Sequence, residues 1–249
     1  MSGHSKWANI KHRKAAQDSK RAKVWTKILK EITISARQGS GDPDANPRLR
    51  TAIIAAKSAN IPHDTLQRAI KKGTGELEGV SYEEILYEGY GPYGIAMMLE
   101  VVTDNRQRTV AEIRHLLSKH GGNLGESGSV AWNFTRKGNI VLDAENVNED
   151  DLIMNALEAG AEDVKREGDT FTVICEASDF NDLHEVLKKS YTIHHAEIEQ
   201  IPGTTIRIES AEEAAKFLKL YELLEDHDDI QKVWDNSDIP EAIMEQLNE

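Results

Sequence analysis

The chain has 249 residues, with 43 acidic against 30 basic side chains and a formal net charge of −13. That length suits one to three domains and the 39% hydrophobic content can bury a core, but no run nears the ~18 apolar residues of a membrane span. The opening Met1-Ser2-Gly3-His4-Ser5-Lys6-Trp7 has no apolar stretch of a secretory signal, and Cys175, the sole cysteine, excludes an internal disulfide, a cysteine zinc site and a CxxC pair. The expectation is a cytoplasmic protein without a membrane partner.

The charge is unevenly spread. Residues 1–80 carry a net of +9 and residues 81–249 a net of −22. Such asymmetry points to a polyanion held by the basic part, with the acidic part turned away. Residues 1–17 show no apolar period and read as a basic arm. From about Ser19, the spacing of Ala22, Trp25, Ile28, Leu29, Ile32 and Ala36 predicts a helix that stops at Gly39-Ser40-Gly41-Asp42-Pro43. Asn46-Pro47 supplies an N-cap and an N1 proline for a second helix, with Leu49, Ala52, Ile53 and Ala56 inward, closing near Asn60. Pro62 opens a short third helix, about Asp64–Lys72, with Leu66, Ala69 and Ile70 inward and Gly73 as its C′ residue.

Beyond a linker at Gly73-Thr74-Gly75, strands are expected over Tyr82–Tyr90 and Ile95–Thr103, then a helix over Arg106–Lys119. Val130, Trp132 and Phe134 alternate as in a half-buried strand, and Arg136-Lys137-Gly138 reads as a turn. Residues 139–201 follow the order strand 139–143, helix 149–159, strands 162–166 and 170–175, helix 179–189, strand 196–201. That is βαββαβ, the ferredoxin-like order, with Asn148 and Ser178 as N-caps and Gly160 as a C′ residue. After it come a strand over Thr205–Glu209, a helix over Ala211–Glu225 with a Ser210/Glu213 capping box, and a strand over Ile230–Asp235. The fold class is therefore multidomain α+β. A basic arm and three-helix head (1–80) precede a discontinuous α+β domain (81–136 plus 203–249), into which a ferredoxin-like domain (137–202) is inserted. A sequential three-domain layout is the alternative.

Chemistry is sparse. Gly89-Tyr90-Gly91-Pro92-Tyr93-Gly94 matches GxGxxG but lies between two strands, so it reads as a hairpin turn, not a dinucleotide loop. The glycines at 121, 122, 125 and 128 surround a helix-to-strand loop; loop geometry is the plain reading and a phosphate nest the other. His194 and His195 point to opposite faces of a strand and cannot share a metal. Asp226-His227-Asp228-Asp229 reads as a solvated turn, and Cys175 as core. Without a nucleophile–base pair, a ligand set or a cofactor loop, neither an enzyme nor a metal, cofactor or small-molecule substrate is expected.

The binding signals are stronger. The first 30 residues hold nine cations against one acid, Asp18, whereas ordinary helix surfaces mix signs. Lys6, Trp7, Lys11, Arg13, Lys14, Lys20, Arg21, Lys23 and Lys27 are the candidate nucleic-acid contacts of the arm and first helix, with Trp7 able to stack on a base. Arg48, Arg50, Arg68, Lys71 and Lys72 extend the positive field over the other two helices. Trp25, on the apolar face, reads as core. A second candidate site is Asn105, Arg106 and Arg108 at a strand-to-helix turn. Two arginines there oppose the helix dipole, so either an acid compensates, such as Asp104 for Arg106, or a bound phosphate does.

Gly3-His4-Ser5-Lys6-Trp7 followed by Lys11-His12-Arg13-Lys14 resembles the opening signature of the YebC family. Asn46-Pro47-Arg48-Leu49-Arg50, Asp104-Asn105-Arg106 with Arg108-Thr109, and Gly121-Gly122-Asn123-Leu124-Gly125 through Gly128-Ser129-Val130 resemble its later blocks in order. Tyr93 departs from the family by standing where a small residue is expected. The resemblance implies a helical head and two α+β domains, one inserted in the other. Members are described as probable transcriptional regulators binding DNA, mitochondrial relatives as translational activators, and bacterial relatives as linked to rescue of stalled ribosomes. The expected function is thus a non-enzymatic, DNA-binding transcriptional regulator. The alternative is a ribosomal-RNA-binding translation factor, and a third reading is a protein-interaction adaptor working through the acidic body. The high negative charge slightly favours a monomer.

Overall fold

The structure, a computed structural model, describes residues 19–247, apart from the side chains of residues 19–21 and 167. The described residues fall into two compact units. One runs to Ser129 and includes Ala215–Val233; the other comprises Val130–Ala214 and the residues from Trp234 onward.

In the first unit, helices α1 (Ser19–Gln38), α2 (Pro47–Ser58) and α3 (His63–Thr74) share a core of Ile32, Ala36, Leu49, Ala56, Leu66 and Ile70, with Trp25 packed at its edge. The Trp25 indole N–H donates to the Ala59 carbonyl at 3.0 Å, satisfying its one polar atom as the ring packs on the core. Asn46 caps α2 as expected, its side-chain oxygen accepting from the Leu49 N–H. Gly73 is not a C′ residue. Helix α3 runs on to Thr74, and Gly75 closes it at φ 83°. A Cβ on Gly73 would lie 2.4 Å from the Thr33 carbonyl oxygen, so the glycine serves the close approach of α3 to α1. The second half of α1 is buried on all sides, from Ile32 through Ala36, rather than on one stripe.

The chain then forms β1 (Glu83–Tyr90) and β2 (Ala96–Thr103), an antiparallel hairpin in register from Glu83↔Thr103 to Tyr90↔Ala96. Its connection is a 3₁₀ turn, Pro92–Gly94, with Tyr93 at φ 62°, so a non-glycine residue takes the left-handed position of the turn. Helix α4 (Arg106–Lys119) and the short β3 (Asn123–Leu124) follow.

In the second unit, the strand expected from Val130 is replaced by a 3₁₀ turn, Ala131–Asn133, with Trp132 75% exposed. Three alternating residues are too few to fix a period. The turn is instead tied by Asn133, whose side chain accepts from the Thr204 N–H (2.8 Å) and hydroxyl (2.7 Å) and donates to its carbonyl (2.9 Å). Strand β4 (Phe134–Asp143) runs straight through Arg136-Lys137-Gly138, where a turn was expected. Gly138 is there because a Cβ would meet Cys175 Sγ at 2.5 Å and Phe180 at 2.8 Å. Then come α5 (Glu149–Glu158), β5 (Ala161–Glu167), β6 (Thr170–Glu176), α6 (Phe180–Leu187) and β7 (Ile193–Pro202). The sheet order β5-β6-β4-β7, with every neighbouring pair antiparallel, is the ferredoxin-like topology. Its core holds Ile140, Leu142, Leu152, Phe171, Val173 and Leu183. Asn148 caps α5, and Gly160 (φ 99°) follows it in the left-handed conformation. Ser178 does not cap α6: Asp179 occupies that position without a side-chain cap bond, and the Ser178 hydroxyl donates to its carboxylate.

Strand β8 pairs only over Ile206–Arg207. It is followed by α7 (Ala211–Glu225), β9 (Ile230–Asp235), β10 (Ser237–Asp238) and α8 (Glu241–Gln246), the last two unanticipated. The first sheet has the order β3-β1-β2-β9, so α7 and β9 return the chain to the hairpin that precedes the ferredoxin-like segment. Ser210 accepts from the Glu213 N–H (3.3 Å), while the Glu213 carboxylate accepts from the Glu209 N–H, one residue earlier than in a regular capping box.

Candidate nucleic-acid interface

Lys6, Trp7, Lys11, Arg13 and Lys14 lie outside the described residues, as do the side chains of Lys20 and Arg21. The remaining head cations divide into those bound to the protein itself and those facing outward. Lys23 donates to the Asp226 carbonyl (3.0 Å), Lys27 to the Glu225 carbonyl, and Lys30 to the Asp228 carbonyl (2.9 Å). These lysines follow one face of α1 and meet the C-terminus of α7, where unpaired carbonyls and the negative end of the dipole attract cations. Asp226-His227-Asp228-Asp229 is therefore a docking turn for α1, not a freely solvated one.

Asp229 is the centre of that contact. It is 4% exposed, and one carboxylate oxygen accepts from Lys30 Nζ at 2.5 Å. The other accepts from the Thr109 hydroxyl (2.6 Å) and Arg108 Nη2 (2.8 Å), with the Thr103 hydroxyl at 3.2 Å. Burial would raise its pKa, but the bonds from Lys30, Thr109 and Arg108 prevail and hold it well below the usual carboxylate range. The Asp229 N–H donates to His227 Nδ1, which leaves the proton of that ring on Nε2, 3.0 Å from Glu112.

The second candidate site takes a different form from the expected Arg106–Asp104 pair. Arg108, not Arg106, bonds Asp104 at 2.9 Å and also reaches Asp229. The order of the bend decides this: Asp104 and Arg108 are four residues apart across the first turn of α4. Asn105 is the N-cap, accepting from the Arg108 N–H. Arg106 is exposed and has no acidic partner among the described residues.

Arg48 is a structural fork. It bonds Glu31 (2.6 and 3.0 Å) and Glu84 (2.7 and 3.0 Å), linking α1, α2 and β1. Burial lowers its pKa, and the two carboxylates raise it further than burial lowers it. Arg50 donates to the carbonyls of Pro43 and Asp44. Arg68, Lys71 and Lys72 differ: all three are exposed on α3, with no ion-pair partner among the described residues.

The glycine loop after α4 holds an anion of the protein's own. The Gly128 N–H donates to the buried Glu88 carboxylate at 2.7 Å, and the Gly125 N–H to the Glu88 carbonyl. Gly122 lies so close to β1 that a Cβ would be 2.2 Å from the Tyr90 carbonyl oxygen. Cys175 is buried, and burial pushes its thiol up to about 11, which suits a core residue. Among the described residues, two groups bring three ligand atoms together, Glu112/His227/Asp229 and His195/Glu197/Glu199. In the first, Asp229 is already saturated by Lys30, Arg108 and Thr109.

A cationic three-helix head joined to a hairpin sheet, followed by a ferredoxin-like βαββαβ segment, defines a multidomain α+β protein. The chain belongs to the TACO1/YebC family: the TACO1/YebC protein N-terminal domain matches residues 5–76, and the TACO1/YebC second and third domain matches residues 82–237. A Dictyoglomus turgidum protein is 54% identical over 250 residues, and one from Moorella thermoacetica 55% over 251, each match covering 100% of both chains. Both relatives bear the name "Probable transcriptional regulatory protein", a regulatory and not an enzymatic description. The crystal structure of a conserved hypothetical protein, Aq1575 from Aquifex aeolicus, is similar at a TM-score of 0.80 and 45% identity, covering 92% of this chain and 94% of that one. Among the described residues no helix is long and apolar enough to cross a membrane.

Proposed function

We propose that the protein is a non-enzymatic regulator that binds nucleic acid through its basic arm and head. The observation that carries this reading is the sorting of the head's charge. Lys23, Lys27, Lys30, Arg48 and Arg50 are engaged internally, whereas Arg68, Lys71 and Lys72 remain outward on one helix, continuous in sequence with a head of net +9. Lysines and arginines without protein partners are the groups that replace counterions on phosphates. The regulatory names of the relatives support DNA as the target and control of transcription as the role.

One observation favours a second reading, a structured or single-stranded RNA such as that of the ribosome. The free cations sit in the C-terminal half of α3, while its N-terminal turn carries His63 and Asp64. A helix that reads a duplex major groove contacts bases with its N-terminal residues, where Asp64 would repel phosphate. The ferredoxin-like sheet offers no RNA-stacking platform of the usual kind. On its central strands the face opposite Ile140, Leu142, Phe171 and Val173 carries Asn139, Val141, Thr172 and Ile174, none aromatic, and the first three of these are buried.

The test is fluorescence anisotropy with the full-length chain against duplex DNA and single-stranded RNA over a salt series. About six phosphate contacts would weaken binding on the order of 10³-fold between 50 and 200 mM salt. Replacing Lys6, Lys11 and Lys14 by Glu should abolish binding. Binding that survives both the salt and the charge reversal would sink the reading in favour of a protein-interaction adaptor.

A further inference from the structure

Arg68 and Lys72 do more than face outward. They lie one turn apart on α3 and line a groove of about 390 Å³ between α1, α3 and the segment entering β1. That volume falls in the range of about 300–1,000 Å³ typical of pockets for small organic ligands. In a chain of net charge −13, none of the described residues lining it is acidic. Lys30 also borders the groove, with Asp229 meeting its charge, and Asp104 and Asp229 act on Tyr82 at the other edge, so the positive side of the groove is the one formed by Arg68 and Lys72. Thr65 and Tyr82 add hydroxyls to the polar edge, and Leu29 and Ala69 make an apolar floor.

This combination discriminates among ligands. An inorganic anion would use the two cations and leave the apolar floor against water. A purely apolar ligand would cover the floor and strip water from a guanidinium without replacing it. A phosphate joined to a planar heterocycle uses both parts. We propose that the groove binds one nucleotide unit, with its phosphate on Arg68 and Lys72 and its base over Leu29 and Ala69 beside Tyr82. The proposal rests on the nucleic-acid reading of the head and deepens it. The nucleotide comes from a single strand or from the free pool; a paired, stacked base in a duplex is not accessible.

The full-length chain is titrated with AMP and, separately, with a labelled single-stranded RNA hexamer. The variants are Arg68→Ala with Lys72→Ala, the charge-preserving swap Arg68→Lys with Lys72→Arg, and Lys119→Ala as a cation control on α4. The double alanine variant should weaken AMP binding on the order of tenfold or more, since two charge-assisted contacts are lost. The swap should retain most of the affinity and Lys119→Ala nearly all of it. AMP that displaces the hexamer identifies the strand as the source; AMP that binds without displacing it identifies the free nucleotide. A native chain that binds the hexamer or duplex DNA, more weakly in the double alanine variant, but does not bind AMP overturns the groove proposal and leaves the head reading intact. A native chain that binds AMP but neither the hexamer nor duplex DNA refutes the head reading while the groove stands.

Discussion

Asp229→Asn tests the clamp that holds α1 against the turn after α7. The Lys30 and Asp229 side chains are 10% and 5% exposed. Removing one member of such a buried pair strands the other charge and costs about 3–5 kcal/mol. The Arg108 arm adds little, because its side chain is 44% exposed and its attraction is screened. Lys30→Met should cost less, about 2 kcal/mol, because Asp229 keeps Arg108 and Thr109. Combining Lys30→Met with Asp229→Leu removes both charges and should recover part of the loss, stopping short of native stability because the buried Thr103 and Thr109 hydroxyls lose their carboxylate acceptor. In urea, at an m-value of about 2–3 kcal/mol/M, Asp229→Asn should move the midpoint of the head-containing unit down by about 1–2.5 M. Amide exchange along α1 locates the loss. The pH dependence has a fixed sign. The folded pKa of Asp229 lies below its unfolded value, so its stabilisation is full above the ordinary carboxylate range. It is lost as pH falls through that range toward the depressed pKa, and the native and Asp229→Asn midpoints should converge in acid. A midpoint unchanged by Asp229→Asn at neutral pH, or a double variant no better than the single, would refute the clamp.

Three further outcomes are expected. Gly73→Ala should destabilise the head by about 1–3 kcal/mol through the clash with the Thr33 carbonyl, read as a lower urea midpoint. Asn133→Ala removes three hydrogen bonds to Thr204 and should cost about 1–3 kcal/mol, with faster amide exchange at residues 203–204. Cys175, buried and with its thiol pushed up to about 11, should resist an aromatic disulfide reagent at pH 8 and react once urea unfolds the chain.

Local signals carried much of the fold. The 3.6-residue period of α1, the Asn46-Pro47 cap and the alternation of elements over 139–201 are each set by neighbours in sequence, and the structure follows them closely. Glycines are where local signal and structure part. Gly73 and Gly138 look like breakers from sequence, yet each lies inside a regular element because another backbone or side chain needs its missing Cβ. The candidate site was less legible. Lys23, Lys27 and Lys30 have the same composition as a phosphate-gripping face, and their partners lie about 200 positions away at residues 225–229. Asp226-His227-Asp228-Asp229 has the composition of a solvated turn, and nothing local in the sequence shows that α1 covers it. Which arginine of the 106/108 pair meets Asp104 depends on the helix turn, because the i,i+4 spacing joins Asp104 to Arg108 and not to Arg106.

The central claim is that the outward cations of α3 hold nucleic acid. Native chain and an Arg68→Glu, Lys71→Glu, Lys72→Glu variant are sedimented from low-salt lysate through sucrose gradients, with parallel DNase and RNase arms. The native chain is expected to migrate with a nucleic-acid-containing particle, to be released by one nuclease, and to shift to the top when the three charges are reversed. Release by DNase would assign it to chromosomal DNA and release by RNase to ribosomal particles. Migration unaltered by both nucleases and by charge reversal would contradict the claim.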